Sequence, residues 1–151
     1  MVDVIIIYDT VSTSGTTEKA AALVLEGAKS SGATAEMKRV EDVTMEEIRN
    51  AGGVILGSPN ITNNISGRMR EFCAGHFKNA KVNGKPGAAF GTYKWNRGNL
   101  RRLEFEMRNE GVMLAASGVE AHHRLTAESE QALVALGESV GREVLKLKSG
   151  K

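Results

Sequence analysis

The apolar run Val4–Ile7 breaks abruptly into a hydroxyl-rich stretch, Ser12 to Thr17, interrupted by a single glycine at Gly15. An alanine- and leucine-rich segment then begins at Lys19. This succession predicts a buried strand, a tight turn and the opening of a helix. A strand whose middle is continuously apolar belongs to a sheet covered by helices on both faces, so the stretch fixes the kind of fold available to the chain. It also limits the chemistry. A helix start presents unpaired backbone N–H groups and the positive end of the peptide dipole, which favours a phosphate. Ser12, Thr13, Ser14, Thr16 and Thr17 add neutral donors, and no lysine joins them. A nucleoside-triphosphate loop reaches its outer phosphates with Gly-Lys-Ser/Thr and places the hydroxyl on magnesium. Neutral donors instead suit one terminal phosphate bound without metal; the competing reading is an ordinary Ser/Thr-rich helix cap.

The remaining segments repeat the strand–helix alternation. The first helix is expected from about Gly15 to Ser30, with Ala20, Leu23, Val24, Gly27 and Ala28 on one side. A second strand is expected over about Thr34–Val40, followed by a short helix that opens on a Thr44-to-Glu47 capping box. Gly53–Gly57 is short and apolar, hence central. Met69, Phe72, Cys73, His76 and Phe77 then recur at helical intervals, which reads Cys73 and His76 as core-facing residues rather than catalytic ones. Pro86–Gly91 is the fourth strand. The helix after it turns Leu100, Leu103 and Met107 inward and offers Arg102/Glu106 and Glu104/Arg108 as surface pairs. The fifth strand is expected over about Gly111–Ala116. The last helix starts at Thr126 as N-cap and buries Leu133, Leu136, Val140, Val144 and Leu147. The pattern predicts an α/β protein: a doubly wound, five-stranded parallel sheet with helices on both faces.

Composition removes several classes of function. At 151 residues, with 41% hydrophobic and 25% charged, the expectation is one domain over residues 1–151. A net charge of +2 arises from bases interspersed with acids, so no nucleic-acid footprint is expected. The apolar runs are too short to cross a bilayer, and with only Met1–Asp3 ahead of the first strand no signal peptide is expected. A single cysteine, Cys73, fits a reducing cytoplasm. His122-His123 is not expected to bind metal, because neighbours on an extended segment point opposite ways and no third ligand is suitably spaced.

In open parallel sheets, ligands bind outside the carboxyl ends of the strands, where the strand order reverses. The unusual loops follow strands one, three and four, all on that edge. The first carries the hydroxyls. The second reads Ser58, Pro59, Asn60, Ile61, Thr62, Asn63 and Asn64; the third reads Gly91, Thr92, Tyr93, Lys94, Trp95, Asn96, Arg97 and Gly98. A ligand with a terminal phosphate and a flat, hydrogen-bonding ring system fits that set. Asn side chains and backbone amides read ring carbonyls, and Trp95 or Tyr93 covers a ring face.

Ser12-Thr13-Ser14-Gly15-Thr16-Thr17-Glu18 resembles the phosphate loop of flavodoxins, and the similarity in element order extends over the whole chain. Gly57–Asn64 and Gly91–Gly98 are more similar still to the flavodoxin domain of flavodiiron proteins, here as a stand-alone domain. The resemblance implies the strand order 2-1-3-4-5, bound FMN and one-electron chemistry. Ser12, Ser14, Thr16 and Thr17 would hold the phosphate, the Asn60–Asn64 region would bind the polar edge of the ring, and Trp95 and Ile61 would flank it. It further implies an electron carrier that serves redox partner proteins, as a monomer or weak homodimer.

The sequence departs from that pattern in three ways. No His-x-Glu-x-Asp cluster is present, so nothing supports the oxygen or nitric oxide reduction of flavodiiron proteins. Lys94, Arg97, Arg101 and Arg102 crowd an edge that is acidic in typical flavodoxins, which points to partners with acidic docking faces. The middle loop lacks the glycine that many flavodoxins carry, and Asn63 or Asn64 is the substitute that tolerates positive φ. An alternative on the same fold is an NAD(P)H-dependent FMN or quinone reductase. A signalling receiver domain would need a phosphorylatable aspartate after strand three, where Ser58 stands.

Overall fold

The computed structural model describes residues 1–10 and 15–150. The expected alternation is present as β1 (Val4–Tyr8), α1 (Thr16–Ser30), β2 (Ala35–Arg39), α2 (Met45–Asn50), β3 (Gly53–Pro59), α3 (Gly67–Phe72), β4 (Pro86–Tyr93), α4 (Asn99–Asn109), β5 (Met113–Leu114), β6 (Val119–His122) and α5 (Ala127–Ser149). All strand pairings between these elements are parallel, and the order is β2-β1-β3-β4-β5, with β6 also paired to β4.

Successive residues of β1 supply opposite cores, as the period of a strand requires. Ile5 and Ile7 pack with Ile48, Met69, Phe72, Leu103 and Met107 from α2, α3 and α4. Val4 and Ile6 pack with Ala20, Val24, Leu133, Leu136 and Val140 from α1 and α5. The continuous apolar run therefore reflects burial on both faces. Thr44 accepts from the Glu47 amide while the Glu47 side chain accepts from the Thr44 amide, closing the expected capping box. Thr126 caps α5 in the same reciprocal way with Ser129.

Four details differ from the sequence expectation. The fifth strand is split into β5 and β6, because the chain leaves β4 after Leu114 and rejoins it at Val119. Second, α3 continues into a π turn, Cys73–Phe77. The wider turn moves the buried stripe from Phe72 to Phe77, so Cys73 is buried while His76 is exposed, contrary to its assignment as core-facing. Third, Leu147 is 49% exposed because α5 outruns the sheet, and the buried stripe ends at Val144. Fourth, Arg102 pairs with Glu106 at 2.7 Å as expected, but Glu104 accepts from the Gly118 amide at 3.2 Å. That contact braces the turn between β5 and β6.

Two extensions matter for the site. β3 runs to Pro59 and β4 to Tyr93, each two residues beyond the expected strand, with Ser58 opposite Gly91 and Pro59 opposite Thr92. Ser58, Pro59, Thr92 and Tyr93 thus sit on paired strand ends rather than in free loops.

Candidate functional site

The carboxyl ends of β1, β3 and β4 bring the described parts of the predicted loops together. Gly15 is the N-cap of α1 with φ 68°, a left-handed conformation suited to glycine. Thr16 and Thr17 follow it and are both buried. The Thr16 hydroxyl donates to the His123 carbonyl at 3.3 Å, and the Thr17 and Thr92 hydroxyls lie 2.7 Å apart. The start of α1 is thereby tied to the ends of β4 and β6. Ser12, Thr13 and Ser14 lie outside the described residues.

Ile61 to Asn64 form a two-residue hairpin. The Ile61 amide donates to the Asn64 carbonyl at 2.7 Å, and the Asn64 amide returns to the Ile61 carbonyl at 3.0 Å. Thr62 and Asn63 have φ of 51° and 64°, the pair of positive values that a type I′ turn requires. Asn63 takes the role expected of a glycine, and Thr62 takes it too, although a β-branched residue is strained there. Asn64 turns its side chain inward, where Oδ1 accepts from the Ile65 amide at 2.8 Å. Ile61, at the hairpin's start, is 41% exposed.

The second and third loops are locked together. Asn60 Nδ2 donates to the Asn96 carbonyl at 2.7 Å, its Oδ1 accepts from the Asn99 amide at 3.2 Å, and its backbone amide donates to the Thr92 carbonyl at 2.8 Å. The Asn60 side chain therefore serves loop–loop contact with both ends of its amide. Asn99 is wholly buried and donates through Nδ2 to the Ser58 carbonyl at 2.7 Å, while its Oδ1 has no partner. Gly91 makes room for that amide: an added Cβ would lie 2.5 Å from Asn99 Oδ1. Gly98 has φ 146°, and a Cβ there would lie 2.6 Å from the Asn63 carbonyl oxygen. Glycine at 98 thus permits the third loop to close against the hairpin.

Tyr93 stands under Arg97, whose guanidinium is 4.7 Å from the ring centroid and donates to the Tyr93 hydroxyl at 2.6 Å. His122 meets Tyr93 edge-on with ring centroids 5.4 Å apart, and the His122 and His123 rings approach to 4.3 Å. The expectation that these neighbours point apart fails because the chain leaves β6 at His122 and turns. The His123 imidazole is held below its ordinary pKa by partial burial, with His122, Arg124 and Lys94 adding positive surroundings, and its Nδ1 lacks a partner. Among the described residues no group of three or more His, Cys, Asp or Glu is placed to hold a metal ion. Trp95 is 89% exposed at the tip of the third loop, beside exposed Lys94 and Asn96.

Sequence reasoning missed Asn99, Asp9, Ser66 and Arg68. Asp9 is a buried carboxylate directly after β1; it accepts from Ser66 Oγ at 2.5 Å and pairs with Arg68 Nε at 3.0 Å. Only an acid beside the phosphate-type loop, and a buried-type position at the start of α4, hinted at these roles. The basic edge is also thinner than counted. Arg102 is paired with Glu106, whereas Arg97 stacks on the neutral Tyr93 and stays exposed, which leaves Lys94, Arg97 and Arg101 as its outward charges.

No protein-family model matches the chain. A flavodoxin of Aquifex aeolicus (strain VF5) is 35% identical over 100 residues, covering 64% of this chain and 53% of that protein. The rubredoxin-oxygen oxidoreductase of Megalodesulfovibrio gigas is 28% identical over 146 residues, covering 92% of this chain and 35% of that protein. The chain therefore spans about half of the first relative's length and about a third of the second's. Among solved structures, a flavodoxin from the domain Archaea superposes with a TM-score of 0.88 at 25% identity, covering 94% of this chain and 98% of that one. The β2-β1-β3-β4-β5 order and these likenesses agree, and the chain has the flavodoxin-like fold.

Proposed function

We propose that this chain is an FMN-binding electron-transfer protein that carries its flavin at the carboxyl end of the sheet. The observation that carries the reading is the convergence there of Gly15–Thr17, Asn60–Asn64 and Gly91–Gly98, each contributing a different recognition chemistry. The donor set fits FMN. Buried hydroxyls at a left-handed helix start suit a phosphate monoester, and the unpartnered Thr10 Oγ1 lies at the root of the same loop. Two exposed apolar side chains, Trp95 and Ile61, suit the faces of a flat ring.

In this reading Ser12, Thr13, Ser14, Gly15, Thr16 and Thr17 hold the phosphate. Ser58 and Pro59 seat the ring loop, and Asn60, Ile61, Asn63 and Asn64 present backbone and amide groups to the ring's polar edge. Gly91, Thr92, Tyr93, Lys94, Asn96 and Gly98 shape the third wall, with Trp95 closing over the ring. Bound FMN would supply the electron-transfer chemistry, while the protein binds, orients and tunes it. Lys94 and Arg101 make a donor or acceptor protein with an acidic face the fitting partner, because opposite fields speed encounter. The reading further takes residues 1–151 as one domain, a monomer or weak homodimer, in the cytoplasm.

An absorption spectrum of the purified protein tests the proposal. A bound flavin released by heat and identified as FMN supports it; a colourless protein that takes up no FMN on titration overturns it. Isolation with FAD alone would also count against it, since the hydroxyl loop closes on one phosphate. Bleaching by NADH or NADPH without a second protein would favour the reductase alternative.

A further inference from the structure

Helix α4, Asn99–Asn109, sorts its side chains by direction. Leu103 and Met107 are wholly buried against the sheet. Arg101, Phe105 and Arg108 lie on the opposite side at i, i+4 and i+7, and all three are exposed, Phe105 by 56%. The acids between them are turned back onto the protein. Glu104 accepts from the Gly118 amide at 3.2 Å, and Glu106 takes Arg102 at 2.7 Å. Neither Arg101 nor Arg108 has an acidic partner among the described residues. The helix therefore keeps its negative charge inward and shows solvent an aromatic ring between two unpaired guanidinium groups. Phe and Arg are residue types enriched at protein interfaces.

The stripe also has a place in the fold. α4 opens at the carboxyl edge of the sheet, where Asn99 holds the Ser58 carbonyl, shortly after exposed Lys94 and Arg97. From Arg101 to Arg108 the helix then runs about 10 Å down the flank, away from that edge. The opposite face of the sheet differs in charge. There the shallow groove between α1 and α5 is lined by Leu23, Val134, Glu26, Glu130 and Glu138. Among the described residues only the last of these acids meets a base, Arg142 at 3.2 Å. An acidic surface is repelled by that groove and drawn to α4, which fixes the side from which a partner approaches.

We propose that the outer stripe of α4, formed by Arg101, Phe105 and Arg108, is the docking surface for an acidic redox protein. Phe105 enters an apolar recess of the partner, and the two arginines pair with carboxylates around it. The inference rests on the electron-carrier reading above and deepens it, because it puts the main contact on the helix flank, with Lys94 and Arg97 at its flavin-side end. A central aromatic anchor supplies most of the affinity in such a contact, while the flanking charges orient and speed the encounter. One ring on an 11-residue helix is too little apolar area to hold a lipid surface.

The test titrates the purified, FMN-loaded chain with an oxidised plant-type ferredoxin as the acidic probe and with a basic cytochrome c as the control. Calorimetry at low salt should detect ferredoxin binding that weakens as salt rises, and none for cytochrome c. Phe105→Ala should weaken ferredoxin binding about 10-fold at any salt, and Arg108→Glu about as much at low salt but less at high salt. Lys146→Glu, an equal change of charge at the exposed end of α5, should stay within about 2-fold of wild type. Flavin affinity and the thermal midpoint should hold in Phe105→Ala and Arg108→Glu, since both side chains are exposed. On titration the amide resonances of Arg101, Phe105 and Arg108 should move, and those of Glu26 and Glu130 should not. Ferredoxin that fails to bind at low salt, or binds both variants as tightly as wild type, overturns the docking stripe while leaving FMN binding intact. A chain that takes up no FMN yet binds ferredoxin through Phe105 and Arg108 overturns the electron-carrier reading and supports the stripe. Binding instead to phosphatidylserine vesicles, lost in both variants, would make α4 a membrane contact and overturn the protein partner.

Discussion

At the amino end of the sheet, Asp3 and Thr34 exchange bonds between neighbouring strands. The Asp3 amide donates to the Thr34 hydroxyl at 2.9 Å, and the Thr34 amide returns to the Asp3 carboxylate at 2.9 Å. Lys148 closes that carboxylate at 2.7 Å, and Lys85 caps the last carbonyls of α2, reaching Arg49 at 3.1 Å and Ala51 at 2.5 Å. The carboxyl end is equally rich in hydrogen bonds but is finished differently. Thr10 Oγ1, Asn99 Oδ1 and His123 Nδ1 are buried without partners, Thr62 is held at positive φ, and Trp95 stands in solvent. One end is closed upon itself, whereas the other keeps polar and apolar capacity in reserve. A binding site requires that reserve, and stability is forgone to keep it.

The sharpest way to break this contrast is at the start of α1. Thr16 and Thr17 changed together to alanine should weaken FMN binding by ~1.5–3 kcal/mol for each charge-assisted bond lost. Unfolding stability should fall by about 1–3 kcal/mol, from the lost contacts with Thr92 and the His123 carbonyl. Flavin titration beside a urea melt separates the two numbers, and an unchanged affinity would place the phosphate elsewhere.

Asp3→Ala is the converse probe. It should lower unfolding stability by about 0.5–1.5 kcal/mol, from the lost bonds to Thr34 and Lys148, while FMN affinity stays the same. Contact with Lys148, reinforced by the Thr34 amide, holds the Asp3 carboxyl below its ordinary value of 3.8. A depressed folded pKa stabilises above the unfolded value and loses that contribution as pH falls through the folded one. Wild-type stability should therefore decline below about pH 4 more steeply than that of Asp3→Ala. Identical acid profiles would show that Asp3 is idle.

Trp95→Ala should reduce FMN affinity, with the stacking contribution alone worth ~0.5–1.5 kcal/mol. Its thermal midpoint should not move, since the indole is 89% exposed. A lowered midpoint with unchanged affinity would make Trp95 a structural anchor instead. The smallest effect is expected at the hairpin. Thr62→Gly relieves a left-handed β-branched residue at ~1–2 kcal/mol, offset by the ~0.5–1 kcal/mol backbone entropy that glycine loses on folding. A net gain of about 0.5 kcal/mol in a denaturant melt would confirm that strain is held at the site end; a net loss would show that the Thr62 side chain stabilises the turn.

The local sequence determined which elements form. Val4–Ile7 marked a strand buried on both faces, Thr44 with Glu47 marked a helix start, and the periodic stripe from Leu133 to Val144 marked a helix against the sheet. Their free energies come from neighbours within a few positions, so the pattern is readable along the chain. The same reading located the candidate site, because strand ends in a parallel sheet are adjacent by topology and Gly15–Thr17, Asn60–Asn64 and Gly91–Gly98 all fall there. Tertiary structure alone decided which polar groups meet. Asn99 joins Ser58, Arg68 joins Asp9 and Thr10, and Thr16 joins His123 across sequence separations of 41 to 107 residues. Tertiary packing also turned His76 outward at a π turn, split the fifth strand, and paired Arg102 of the basic edge with Glu106. Burial asks every polar group for a partner, and which partner is within reach depends on how the strands are ordered rather than on the residues beside it in sequence.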